Sequence, residues 1–165
     1  MSNTVDETSW PPEQVETVAS GLVCEWYFDR RVVVYRITAI VRETLTAWVD
    51  TVAQRLQTWP EDRPYLALHD ISSRRVGLSY LALVNYHIAN LGVTETGWEK
   101  IEPILARRAN FSARVAVLFG LTHSGHLGQV LTQRGSANTK VVDIVFQSFF
   151  DRQQALNWLL KIDRP

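Results

Sequence analysis

After Leu22 the apolar positions of the chain change period several times, and each change marks an element. Leu22 to Phe28 and Arg31 to Ile37 are β-rich runs separated by Asp29-Arg30, which predicts an antiparallel hairpin without the usual glycine. Leu45, Trp48, Val49, Val52 and Leu56 fall at helical spacing, and Trp59-Pro60 with Pro64 ends that helix. Tyr65 to Ile71 reads as a strand, and Gly77 and Gly92 bracket a helix over 78–91. The segment from Val93 to Ala113 is the least regular. Thr96 and Glu99 suit a helix start there, and Pro103 predicts one broken helix or two short ones. Arg114 to Phe119 reads as a strand closed by Gly120. Leu127, Val130 and Leu131 suggest a short helix up to Gly135, and Val141 to Phe146 a last strand. Asp151 with Gln154 three residues on caps a final helix whose apolar stripe is Ala155, Trp158, Leu159 and Ile162.

Strands alternating with helices imply parallel neighbours joined by right-handed crossovers, with the leading hairpin as the antiparallel member. The expected fold is α/β: a mixed, mostly parallel sheet opened by an antiparallel hairpin, with four to five packed helices. Residues 1–20 hold Asp6, Glu7, Glu13 and Glu16 around Pro11 and Pro12, so they read as a polar arm, partly without fixed structure, with Trp10 as a latch in the other reading. Residues 21–165 read as one domain.

The composition narrows the function classes. The chain has 165 residues with 17 basic and 17 acidic side chains, and this balance removes the bulk electrostatic drive of nucleic-acid and anionic-membrane binders. No apolar run reaches the roughly 20 residues a bilayer crossing needs, so no stable membrane insertion is expected. A single cysteine, Cys24, excludes an internal disulfide framework and points to the cytoplasm.

Four stretches, CEWYFDRRVVVYRIT, YLALHDIS, RVAVLFG and VVDIVFQSFFDRQQALNWLL, taken in this order, resemble the STAS domain family in its SpoIIAA-like branch. That branch shares its fold with lipid-transfer domains of the CRAL-TRIO type. In the closing stretch the matching residues are Phe150, Asp151, Ala155, Trp158 and Leu159. The resemblance spans about residues 22 to 162 and implies a non-catalytic binding or regulatory module. Members that oppose anti-sigma factors carry a phosphorylatable serine at the start of the second helix, where backbone amides favour a phosphate. The corresponding place here is Ser79, without the family's acidic predecessor and with a leucine in place of its glycine. Ser72, beside Ser73 and followed by Arg74 and Arg75, is the second candidate.

Other candidate chemistry is incomplete. Gly120-Leu121-Thr122-His123-Ser124-Gly125-His126-Leu127 has the spacing of a phosphate loop, but His126 and Leu127 stand where lysine and a hydroxyl are needed. Amides over Thr122 to Gly125 would still suit a carboxylate or single phosphate. His123 and His126 supply two imidazoles, and a third metal ligand would have to come from His69, Asp70 or His87, so no metal site is expected. His69, Asp70, Ser72 and His123 can be arranged on paper as a hydrolase, without a nucleophile elbow. Cys24, inside a strand, reads as a small buried hydrophobe. Trp98 with Ile101, Ile104 and Leu105 reads as packing, a lid over an apolar cavity, or a homodimer contact. Arg30-Arg31, Arg74-Arg75 and Arg107-Arg108 would form an anion patch if their loops converge.

The leading expectation is a STAS-like module without catalytic residues, metal or cofactor, docking a partner protein or small ligand. Its surface comprises Asp70, Ser73, Arg74 and Arg75 beside Thr122, His123, Ser124 and His126, with Trp98 as a further contact. The alternatives are a carrier of a small apolar or anionic molecule under the 94–110 insert, a small hydrolase, and a purely structural subunit of a larger assembly.

Overall fold

The computed structural model describes residues 10–76, 95–121 and 143–161. Within them the order is β1 (Gln14–Ala19), β2 (Leu22–Tyr27), β3 (Val32–Ile37), α1 (Arg42–Thr58), β4 (Tyr65–Ile71), α2 (Glu95–Ala106), β5 (Ser112–Phe119), β6 (Asp143–Phe149) and α3 (Arg152–Leu160). The six strands form one sheet in sequence order. β1, β2 and β3 pair antiparallel, and β3 to β6 run parallel. The α/β class and the mixed sheet opened by an antiparallel hairpin are therefore as expected. The helices expected over 78–91 and 127–135 lie outside the described residues.

Side chains alternate between the two faces of the sheet, which divides the core. One face carries Cys24, Trp26, Tyr35, Tyr65, Val115 and Val117 beneath α1 and α2; the other carries Val34, Leu68, Ala116, Leu118 and Phe149 beneath Ala155, Leu156 and Leu159 of α3. The near-continuous apolar runs of β3, β4 and β5 follow from this, because strands covered on both faces have no solvent side to mark with polar residues.

Three elements depart from the expected pattern. β1 was not legible as a strand because its first four residues are exposed, and its strand character comes from backbone pairing with β2. Trp10 packs edge-on against Phe28 with ring centroids 4.7 Å apart, as a latch would. α2 is a single helix with Pro103 inside it: both Pro103 and Glu99, whose carbonyl loses its i+4 donor, are exposed, so water can replace the missing bond. The last strand ends at Phe149 instead of Phe146, and α3 starts where the cap predicts, with Asp151 Oδ1 accepting from Gln154 N at 2.7 Å.

The β2–β3 turn is strained. Phe28, Asp29 and Arg30 have φ of 57°, 54° and 59°, three successive left-handed residues without a glycine. Arg31 N donates to Tyr27 O and Phe28 O at 3.1 Å each, Asp29 N donates to Glu13 Oε1 at 2.8 Å, and the Arg30 guanidinium lies 4.9 Å from the Trp26 ring.

Candidate functional site

β4 and β5 are parallel neighbours in register, Ile71 opposite Phe119, so their carboxyl ends open side by side. The contact there is close: a Cβ on Gly120 would lie 2.7 Å from Ser72 O, a backbone atom that cannot rotate away. Only glycine lets the two strand ends approach this far. Ser72 and Leu121 thus begin one rim. Leu121 is 80% exposed, and Arg74 and Arg75 are exposed beside Ser73, whose carbonyl accepts from Val76 N at 2.9 Å as the chain turns helical. Ser79, Thr122, His123, Ser124 and His126 lie outside the described residues.

Asp70 belongs to the rim by position but is turned inward. Its Oδ1 accepts from Ser72 N at 3.1 Å and from Ser72 Oγ at 2.6 Å, and its Oδ2 accepts from Arg152 Nη1 at 3.1 Å. Arg152, the first residue of α3, also binds Glu25 Oε2 and donates to Tyr27 OH at 2.8 Å, while Tyr27 OH donates to Glu25 Oε2 at 2.9 Å. Arg36 Nε lies 2.9 Å from Glu25 Oε1 as a charge contact without an aligned hydrogen bond. Two buried carboxylates therefore meet two guanidiniums, with a phenol between them. Burial works against the Arg152 charge, but Glu25, Tyr27 and Asp70 outweigh it and hold its pKa above the usual value. Burial raises the Tyr27 pKa.

His69 precedes Asp70 and faces the other side of the sheet, as strand alternation requires. It is fully buried, and Trp48 Nε1 donates to its Nδ1 at 3.0 Å, which assigns the ring proton to Nε2. Among the described residues Nε2 has no hydrogen-bond partner, and burial pushes the His69 pKa down to about 3. Tyr35 stacks on it at 5.0 Å and shares a 2.9 Å hydroxyl contact with Tyr65. The paper arrangement of His69, Asp70 and Ser72 as one site is corrected here: the imidazole and the carboxylate open onto opposite faces. Burial raises the Cys24 thiol to about 12, leaving it un-ionised at neutral pH.

Trp98 and Ile104 are partly buried against the α1-side core, and Ile101 and Leu105 are fully within it. Lys100 pairs with Asp50 of α1. The three arginine pairs do not converge. Arg74-Arg75 follows β4 at its carboxyl end, whereas Arg30-Arg31 and Arg107-Arg108 lie toward the amino ends of the parallel strands. At that second pole a groove of about 510 Å³ runs between residues 60–63 and residues 107–111. Among the described residues, no group of three or more His, Cys, Asp or Glu is placed to hold a metal ion, and no helix is long and apolar enough to cross a membrane.

Sequence reading missed Arg152, Glu25 and Arg63. The signal for Glu25 was present: Glu25, Arg36 and Asp70 each interrupt an apolar strand run, and charges so placed need partners inside the fold. Arg63 had no such mark, since a loop arginine after Glu61-Asp62 looks like solvated surface. No protein family, curated protein or solved structure matches the chain.

Proposed function

We propose that the chain is a non-catalytic binding module of the STAS-like, SpoIIAA-like kind, acting in the cytoplasm and docking a partner protein through the rim of Ser72, Ser73, Arg74, Arg75 and Leu121. The observation that carries this reading is the contrast at that rim: Leu121 projects almost fully into solvent beside two exposed arginines, while the neighbouring acid, Asp70, is already neutralised from inside. Arginine is enriched at protein-docking surfaces, and the exposed Leu121 beside the two arginines adds apolar surface that a partner can bury. The STAS resemblance and the order of the parallel strands support the same reading.

If the rim is regulated by phosphorylation, Ser79 is the favoured residue over Ser72. The Ser72 hydroxyl donates to Asp70, so a phosphate there would set a dianion against a buried carboxylate.

The test places a photo-crosslinking amino acid at position 121 of the full chain in its own host, with a second at Val145, exposed on β6, as control. The reading expects a discrete crosslinked partner from 121 that is absent from 145 and lost in Arg74→Glu/Arg75→Glu. Equal products from both positions, or a product indifferent to the charge reversal, would overturn it.

A further inference from the structure

The groove at the amino-end pole is built from two anchored walls. The first is the α1–β4 loop, where buried Trp59 donates from Nε1 to Pro64 O at 3.1 Å and so fixes residues 60–63 between its own ends. The second is the α2–β5 loop. There Arg108 donates to Leu56 O and, at 2.7 Å, to Trp59 O, tying this wall to the end of α1. Phe111 is buried at its base, 5.1 Å from the Arg108 guanidinium. Walls held in this way form a concavity before any ligand arrives, and about 510 Å³ falls in the range of small-molecule sites.

The charges on the walls are what make the groove specific. Glu61 and Asp62 stand exposed on the first wall, and Arg107 stands exposed on the second. None of the three makes a side-chain hydrogen bond or ion pair among the described residues. Arg63 lies over the Trp59 ring at 5.6 Å and also pairs with no carboxylate there. Opposite charges therefore face one concavity without closing across it. A simple anion entering would meet Glu61 and Asp62, and a simple cation would meet Arg63 and Arg107. A molecule carrying both charges meets complementary partners on both sides.

We propose that this groove binds a small zwitterion: a primary amine with a carboxylate or phosphate a few bonds away. The ammonium faces Glu61 and Asp62, the oxyanion faces Arg107 across the groove, and Phe111 with Pro60 contacts the carbon body. The site is independent of the docking rim, which lies at the other end of the parallel strands.

The test is a backbone-amide NMR titration of the full chain with phenylalanine and with O-phosphoethanolamine, set against N-acetylphenylalanine and phenylalaninamide, each of which keeps only one charge. The zwitterions should shift amides at 61–63 and 107–111, and each singly charged analogue should bind about tenfold more weakly. Arg107→Ala and Asp62→Ala, both at exposed positions, should weaken the zwitterions by a similar factor without changing the melting temperature. If neither zwitterion shifts those amides at about 10 mM, or if the blocked analogues bind equally well, the proposal fails. Shifts confined to residues 72–76 and 121 would also refute it and assign the ligand to the rim. The two sources of the anion are separated by adding β-alanine, which carries a carboxylate on the same ethylamine body that bears the phosphate in O-phosphoethanolamine.

Discussion

The Trp48 indole donates its N–H to His69 Nδ1 at 3.0 Å, which fixes a neutral imidazole between α1 and the sheet. Because burial lowers the His69 pKa from 6.5 to about 3, the unfolded chain takes up a proton that the folded chain refuses. The contribution to stability is fully present above about pH 6.5 and is lost as the pH falls toward 3, at up to about 1.4 kcal/mol per pH unit. Urea unfolding at pH 7, 6 and 5 measures it. His69→Gln keeps an acceptor for Trp48 and does not titrate, so its stability should fall less over the same range. Parallel pH profiles for the two proteins would show that His69 is not buried as a neutral ring.

Arg152 is the sole residue of α3 seen to reach both Glu25 on β2 and Asp70 on β4. Arg152→Met leaves buried Asp70 without its cation and leaves buried Glu25 with Arg36 alone. Loss of one partner from a fully buried pair costs about 3–5 kcal/mol, and the one-third exposure of the Arg152 side chain reduces this to about 2–3 kcal/mol. In a Glu25→Gln/Asp70→Asn background the same substitution should cost at least about 1 kcal/mol less, because it then leaves no buried carboxylate behind. Chemical unfolding of the four proteins gives the coupling directly, and additive losses would remove the network as an energetic unit.

The network also shows where sequence reading stops. Hydrophobic period located β2, β3, β4, α1 and α3, because each buries an apolar face whose spacing is set by local geometry. The residues Glu25, Arg36 and Asp70 were visible as charges inside apolar runs. That they converge on Arg152 depends on α3 crossing back over the sheet, which no local pattern encodes. β1 escaped for the opposite reason: its backbone pairs with β2 while its side chains stay in solvent. At the rim, Asp70 and Arg74 were legible as strand-end residues, but the inward turn of Asp70 follows from Arg152. The groove charges Glu61, Asp62 and Arg63 carry no signal in the sequence, because their facing wall lies more than forty positions away in the chain.

Gly120 sets how closely β4 and β5 open onto the rim. In Gly120→Ala the new methyl would sit 2.7 Å from Ser72 O, so the strand ends must part. The expected loss is about 1–3 kcal/mol, with shifts in the amide resonances of Ser72 and Ser73. If the rim docks a partner, this variant should weaken docking even at temperatures where it is fully folded. Unchanged stability together with unchanged Ser72 and Ser73 resonances would mean that the two strand ends are not in contact.

The left-handed turn at Phe28, Asp29 and Arg30 stores strain that a single substitution should release. A left-handed conformation costs an L-residue about 1–2 kcal/mol, less for aspartate, and glycine almost nothing. Asp29 takes part through its backbone N–H, which Asp29→Gly keeps for Glu13. After the added flexibility of the unfolded chain is subtracted, this variant should gain about 0.5–1 kcal/mol, or roughly 1–4 °C in Tm. Arg30→Gly relieves the same strain but removes the guanidinium that lies 4.9 Å from the Trp26 ring, a contact worth about 0.5–1 kcal/mol, so its net change should be near zero. Calorimetry on the two variants separates backbone strain from side-chain stacking. A destabilised Asp29→Gly would show that the turn holds its shape without strain.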